Sequence, residues 1–126
     1  AYVAAIPGLK QLLEAVHKVS SRGYVRGLDD RHILCDSRHK SLNFLLQGSA
    51  AIIAKKWMVI AHEQRPKSAH QLAFIHDELQ YECDPSDTEE LKQTLEESAK
   101  AAGESYGLRL PIEATAKSGE TWADVH

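Results

Sequence analysis

A long apolar segment in the middle of the chain constrains the fold more than any other feature of the sequence. It runs from about Ser41 to about Ala61 and reads SLNFLLQGSAAIIAKKWMVIA. Drawn as a helix, it is apolar over most of its circumference, and such a helix needs neighbours on several sides. We therefore expect one long helix, largely buried, at the centre of the fold. No apolar run approaches the ~20 residues that cross a bilayer, so we expect no membrane contact.

The residues before this segment predict a helix and then a hairpin. Leucine and valine recur at helical intervals in residues 9–20, and Gly23 follows as a helix stop. Residues 24–35 then read as two short strands that turn on a cluster of Gly and Asp.

A second hairpin is expected after the long helix. Residues 72–83, LAFIHDELQYEC, form two apolar arms around an acidic centre, and the residues of each arm alternate between two faces. This pattern predicts a strand, a tight turn at Asp77-Glu78 and a second strand.

The rest of the chain predicts a helix and an edge strand. Residues 86–89 have the spacing of a capping box, which would open a helix that Gly103 closes. Residues 108–114 include Pro111 and read as an edge strand, followed by a short terminal segment at 122–126. The order of elements predicts a single α+β domain over residues 1–126, with a mainly antiparallel sheet packed against the long buried helix.

The charge of the chain is divided between its two parts. The net charge of −3 and the two cysteines in 126 residues suggest a mildly acidic protein of a reducing, cytoplasmic environment with no disulfide scaffold. Residues 1–70, however, hold eleven Lys and Arg against five Asp and Glu, about +6, while residues 71–126 hold four against thirteen, about −9. A basic half of this size is compatible with a nucleic-acid partner, which the net charge alone would disfavour.

Two adjacent carboxylates, Asp77 and Glu78, interrupt the otherwise apolar second hairpin. Paired carboxylates are costly to bury unless a cation or water compensates them, and hard oxygen ligands favour Mg²⁺, Mn²⁺ or Ca²⁺. The alternative is a solvated turn, in which Asp is an ordinary residue.

A polar stripe begins the long helix. His39, Asn43 and Gln47 are spaced by four residues and fall within roughly 80° of one another on a helix. Side chains that donate and accept hydrogen bonds can contact base edges in a minor groove, and the neighbouring Arg38 and Lys40 can contact phosphates. The alternative is an exposed, solvated helix face. No nucleophile elbow, phosphate-binding glycine loop or GxGxxG motif is present.

Four segments, in chain order, carry a resemblance to a known family. HDELQYEC looks like the motif C of family A DNA polymerases, and LNFLLQGSAAIIAKKWM resembles their palm helix with its N-x-x-x-Q-G/S-x-A-A pattern. GYVRGLDDRHI resembles the hairpin before that helix, and SGETWADVH is similar to the family's G-x-N-W-x-x-x-H ending. Nearly the whole chain resembles the C-terminal part of these enzymes, the group of bacterial DNA polymerase I and short-tailed bacteriophage replicative polymerases.

The resemblance implies roles for matching residues only. Asp77 corresponds to the motif C aspartate that binds the catalytic Mg²⁺ ions, Glu78 to the adjacent supporting carboxylate, and His76 to a residue beside the primer terminus. Asn43 and Gln47 match palm-helix residues that contact the minor groove of the primer–template DNA.

Two positions depart from residues that are common in the family. His39 falls where bacterial enzymes carry Arg and phage relatives can carry His. Thr121 stands where the family usually has Asn, which leaves the site assignments untouched.

The implied reaction is two-metal transfer of a nucleotide from a dNTP to the primer 3′-hydroxyl during template-directed DNA synthesis. The family takes a second aspartate and a nucleotide-gripping fingers helix from upstream sequence, and neither motif occurs in these 126 residues. We therefore expect a fragment that begins just after the fingers helix, inactive alone, and dependent on the missing N-terminal portion.

Two other interpretations stay open from the sequence. One is a DNA-binding or assembly fragment without chemistry. The other is a regulatory module that binds Ca²⁺ or Mg²⁺ through Asp77, Glu78 and the nearby Glu82 or Asp84.

Overall fold

The computed structural model describes residues 2–126, which divide into two compact units with the boundary between residues 52 and 53. In the first unit a short helix, α1 (Tyr2–Ala5), precedes α2 (Leu9–Ser20). The strands β1 (Tyr24–Arg26) and β2 (His32–Leu34) then pair antiparallel. The predicted helix and first hairpin are therefore confirmed.

The first hairpin meets the long helix α3 (Ser41–Gln64) through a glycine. Gly48 lies against the Ile33 side chain, and a Cβ at position 48 would overlap it. Gly27 of the hairpin also lies close to Ile52, whose Cδ1 would be 3.0 Å from an added Cβ. Small residues on both sides let the hairpin backbone approach this half of the helix.

The prediction that α3 is largely buried is wrong. Only Ser41, Ile52 and Ala61 are buried along its 24 residues, whereas Leu46 is 58% and Val59 is 46% exposed. A helix of this length extends about 36 Å. The short hairpins and helices of residues 2–126 are too small to surround it.

The length of this helix corrects the statement that no apolar run approaches spanning length, while the expectation of no membrane contact stays a prediction. The stretch Arg38–Gln64 is long and apolar enough, by length and composition alone, to cross a bilayer, with a mean hydropathy of 1.3 in its most apolar window. The same composition occurs in core helices of soluble proteins, so the observation by itself does not indicate a membrane span.

The second unit contains the other hairpin and the last long helix. Strands β3 (His70–Ile75) and β4 (Glu78–Glu82) pair antiparallel, with an irregularity in register between Gln71 and Ala73. Helix α4 (Thr88–Glu104) buries a stripe of small and apolar residues: Leu91, Ser98, Ala99, Ala102 and Gly103. The indole N–H of Trp57 donates to the Leu95 carbonyl at 2.8 Å, which ties α4 to the second half of α3.

The ends of α4 differ from the prediction. A 3-10 turn, Pro85–Asp87, precedes the helix, and no side chain caps its first turn. The Asp87 carboxylate accepts a hydrogen bond from the Ser68 hydroxyl at 2.6 Å instead, so the capping box of residues 86–89 is not formed. The helix passes through Gly103 to Glu104, and the left-handed residue that follows is Gly107, with φ of +64°.

The edge strand expected over residues 108–114 is absent from the described structure. This segment runs without a strand partner, because each two-stranded hairpin pairs only with itself. Contacts with α4 hold this segment and the residues after it. Ile112 lies against Gly103, and the Ala116 N–H donates to the Glu96 carboxylate at 2.9 Å. The α+β class is confirmed, but as two separate antiparallel hairpins rather than one sheet.

We predict that Gly103→Ala destabilises this unit despite the higher helix propensity of Ala. An added Cβ would lie 2.7 Å from Cγ1 and 3.2 Å from Cβ of Ile112. Overpacking of this kind costs about 1–3 kcal/mol, more than the roughly 1 kcal/mol gained in propensity. Urea denaturation of the chain measures the change in the free energy of unfolding.

Two further variants control this prediction. Glu104→Ala, at an exposed position of the same helix turn, should change the free energy of unfolding by less than about 0.5 kcal/mol. The double variant Gly103→Ala/Ile112→Ala should be more stable than the sum of the single effects, since the overlap is removed. Additive effects would show that Ile112 does not lie against Gly103.

Candidate functional site

The turn between β3 and β4 presents the acidic pair. Ile75 pairs with Glu78, so the two turn residues are His76 and Asp77 rather than the predicted Asp77-Glu78, and Glu78 begins β4. His76 takes φ of +55°, one of two residues other than glycine with positive φ in the described chain. A non-glycine residue in this region stores strain, and such residues concentrate at functional sites.

The three side chains of the HDE sequence are exposed to solvent. His76, Asp77 and Glu78 are each exposed, so the carboxylates carry no large burial cost, and the solvated-turn interpretation accounts for their exposure equally well. Asp77 takes part in none of the ion pairs formed within residues 2–126. Its carboxylate is accessible to a ligand.

Glu78, in contrast, is held by two side chains. The Gln80 amide donates to its Oε1 at 2.8 Å, and Nε2 of His126 lies 3.0 Å from the same oxygen. The hydrogen bond from Gln80, assisted by the nearby His126 ring, holds the pKa of Glu78 below its ordinary value. The two carboxylates of the pair therefore have different surroundings although they are adjacent in sequence.

His126 reaches Glu78 from a turn formed by the last residues of the chain. Thr121 and Asp124 form a reciprocal capping box around the 3-10 turn Trp122–Asp124. The Trp122 indole nitrogen lies 2.9 Å from Nε2 of His126, and the two rings meet edge to face at 4.9 Å.

The resemblance to the family includes this W-x-x-x-H pattern but implies no role for Trp122 or His126. The available signal was the spacing of four residues, which brings two side chains together on one face of a helical turn.

The polar stripe lies in the other unit and is also exposed. Asn43 and Gln47 are one turn apart on α3, with both side chains exposed. His39, with Arg38 and Lys40, lies in a 3-10 turn before α3 rather than in the helix, so the predicted angular spacing holds only for Asn43 and Gln47. The buried Ser41 hydroxyl donates to the Arg38 carbonyl at 2.7 Å and fixes this entry to the helix.

Comparisons with known proteins identify the family. The model of DNA polymerase family A matches residues 1–124. The chain belongs to DNA polymerase family A. It is 32% identical over 118 residues to the DNA-directed DNA polymerase of Enterobacteria phage T3, and 34% identical over 110 residues to DNA polymerase I of Treponema pallidum. Each alignment covers 83% of this chain, but only 16% and 11%, respectively, of the relative.

A solved structure supports the same membership. The POL domain of Pol1 from M. smegmatis, in complex with DNA primer-template and dNTP, superimposes with a TM-score of 0.75 at 26% identity. The match covers 89% of this chain and 22% of that one. The chain thus spans a small part of the family A proteins that it resembles.

The carboxylates of the HDE turn are compatible with a Mg²⁺ site that has few protein ligands and leaves other positions to water and substrate. No cluster of three or more His, Cys, Asp or Glu side chains with metal-binding geometry occurs in residues 2–126. Mg²⁺ usually keeps several waters and takes only one or two carboxylates, with phosphates of the substrate as further ligands. Two exposed carboxylates meet that requirement, whereas a closed protein cage would need more donors.

The capping box predicts a pH-dependent turn in this family A chain. Hydrogen bonds from the Thr121 hydroxyl and backbone N–H to Asp124 lower the pKa of Asp124. Because the folded-state pKa is depressed, the stabilisation is fully present above the ordinary pKa of an Asp and is lost as the pH falls through the depressed value.

We therefore expect Thr121→Val to raise the pKa of Asp124 towards its ordinary value, because the hydroxyl donor is removed. Carboxyl ¹³C NMR during an acid titration measures this pKa. Thr115→Val, an exposed threonine outside the turn, should leave it unchanged. An unchanged Asp124 pKa in Thr121→Val would mean that the hydroxyl makes no hydrogen bond in solution.

Proposed function

We propose that this chain is the C-terminal part of the palm of a family A DNA polymerase and takes part in template-directed DNA synthesis during replication. The observation that carries the proposal is the exposed HDE turn of the β3–β4 hairpin, in a chain whose family match extends over residues 1–124. The substrates are primer–template DNA and a dNTP, the two ligands named for the similar M. smegmatis structure. The working location is the cytoplasm, or the host cytoplasm for a phage protein.

Asp77 is the residue of this chain that binds catalytic Mg²⁺ in our proposal. Divalent metals are general among family A polymerases, and when bound they activate the primer hydroxyl and stabilise the triphosphate. Asp77 supplies an accessible carboxylate, Glu78 supports the site beside it, and His76 lies next to the primer end. A second aspartate, from the polymerase portion outside these residues, completes the pair of metal ligands.

The stripe on α3 contacts DNA in the same proposal. Asn43 and Gln47, with His39 before the helix, have the donors and acceptors that read the minor groove of the primer–template end. Arg38 and Lys40 contact phosphates, consistent with the charge of about +6 on residues 1–70. Contacts of this kind test the shape of a base pair rather than its sequence.

We predict that the chain alone does not extend a primer with Mg²⁺ and dNTPs, and that it restores extension to the separately produced remainder of the polymerase. The restored rate should fall by about 10²-fold or more in Asp77→Asn, because a positioned metal ligand is lost. A gel-based primer-extension assay measures both effects.

The matched control is Glu82→Gln, which removes an exposed carboxylate from the far end of the same hairpin. It should retain nearly full extension. Robust synthesis by the chain alone would contradict the need for the missing portion. Restored synthesis that is insensitive to Asp77→Asn would favour a fragment that assists assembly without chemistry.

We predict separate effects on DNA binding for the two groups of the stripe. Arg38→Ala and Lys40→Ala should each weaken binding and lower the slope of log affinity against log salt by about one, since each removes one phosphate contact. Asn43→Ala and Gln47→Ala should weaken binding to a primer terminus without changing this slope, because neither residue is charged. Fluorescence anisotropy at several salt concentrations measures both quantities.

Lys100→Ala is the control for this experiment, because Lys100 is an exposed cation on α4, outside the stripe. It should leave the affinity and the slope unchanged. Equal effects of Lys100→Ala and Lys40→Ala would indicate unspecific attraction to DNA. Binding of Mg²⁺ without any affinity for primer–template DNA would favour the regulatory metal module.

A further inference from the structure

The Glu78 carboxylate is ordered on one side only. Its oxygen Oε1 receives the Gln80 amide at 2.8 Å and has Nε2 of His126 at 3.0 Å. No hydrogen bond within residues 2–126 ends on Oε2. The side chain is still 46% exposed, and an exposed Glu otherwise samples several rotamers. Two contacts on the same oxygen select one orientation and leave the other oxygen open.

The His126 ring is itself fixed from two sides. Its Nδ1 lies 3.2 Å from the Trp122 carbonyl, and the Trp122 indole N–H reaches Nε2 at 2.9 Å. The ring planes are nearly perpendicular, at 89°, an arrangement that places the positive edge of one ring against the face of the other. Nε2 therefore lies near both the indole and the carboxylate, but it accepts from the indole N–H only when it carries no proton and donates to Glu78 only when it carries one.

The turn that carries both rings is built by its own residues. Asp124 accepts hydrogen bonds from the Thr121 N–H at 2.7 Å and from the Thr121 hydroxyl at 2.8 Å. Gly119 lies so close to Asp124 that a Cβ at position 119 would overlap the Asp124 side chain. This turn is thus a defined platform for His126, 48 residues away in sequence from the carboxylate that it contacts.

We propose that His126, held against Trp122 by the carbonyl at Nδ1 and by the packing of the two rings, is a positioning residue for Glu78: its Nε2–H donates to Oε1 alongside the Gln80 amide, so that Oε2 alone faces a divalent cation beside Asp77. This inference rests on the proposed metal site. It adds that Glu78 binds through a single oxygen, directly or through a water, and that the segment Gly119–His126 belongs to the site.

The first experiment tests the contact without any metal. The chain has two tryptophans, so its ¹⁵N–¹H spectrum shows two indole signals. Glu78→Gln should shift the Trp122 signal, because an Nε2 that no longer donates to a carboxylate is free to accept from the indole N–H. The Trp57 signal should stay in place, since that indole donates to Leu95. A Trp122 signal that does not respond to Glu78→Gln overturns the proposal.

The second experiment uses Mn²⁺ as the probe, with free ion measured by electron paramagnetic resonance on the full chain. His126→Ala should weaken Mn²⁺ binding by about tenfold, the usual effect of losing a group that orients a metal ligand. His126→Gln, which keeps a nitrogen near the position of Nε2, should restore most of the affinity. Glu113→Gln, which removes an exposed carboxylate outside this segment, should have no effect. Unfolding curves of each variant exclude loss of structure as the cause.

The variants Asp77→Asn and Glu78→Gln distinguish a failure of the proposed metal site from a failure of the positioning role of His126. If neither weakens Mn²⁺ binding, the proposed metal site itself is wrong. If both weaken it while His126→Ala does not, the metal site stands and the positioning role of His126 is overturned. Equal losses in His126→Ala and His126→Gln would also contradict the role, because a residue that orients Glu78 through a hydrogen bond should be replaceable by another donor.

Discussion

The pairing of Ile75 with Glu78 at the end of the β3–β4 ladder is the constraint on which the candidate site depends. It leaves His76 and Asp77 as the only turn residues and forces His76 to positive φ. Because Glu78 is then the first residue of a strand, its side chain points away from the ladder at a fixed place, where Gln80 and His126 can reach it. A shift of one residue would exchange the faces of the whole strand.

The long helix shows a second constraint, which concerns burial. Its apolar circumference suits a helix inside a large protein, yet Leu46 and Val59 are substantially exposed in a chain of 126 residues. Exposed apolar side chains along one helix favour association, either with a further part of a polymerase or with a second copy of the chain. The small share of each family A relative that the chain spans is consistent with the first of these.

The sequence predicted the elements whose signal is local. Helices α2 and α4 and both hairpins were predictable from the spacing of apolar residues, and the HDE motif from two charges in an apolar context. The predictions that were wrong concern features that depend on partners distant in sequence. Residues 108–114 look like a strand but have no edge to pair with, and Asp87 bonds to Ser68 instead of capping a helix. The contact between His126 and Glu78 joins residues that lie 48 positions apart, and no periodicity encodes it.

The different surroundings of Asp77 and Glu78 give a physical reason for assigning them different tasks. A carboxylate that forms no ion pair within the described residues keeps its full capacity to bind a cation, as Asp77 does. A carboxylate whose oxygen already accepts hydrogen bonds from an amide and an imidazole attracts a cation less strongly at that oxygen. Its side chain, however, has a better defined orientation. The hydrogen bond from Gln80 lowers the pKa of Glu78, so that acid protonates this carboxylate less readily than an ordinary Glu. Hence Asp77 is suited to bind a metal directly, and Glu78 to orient a water or a second oxygen ligand around it.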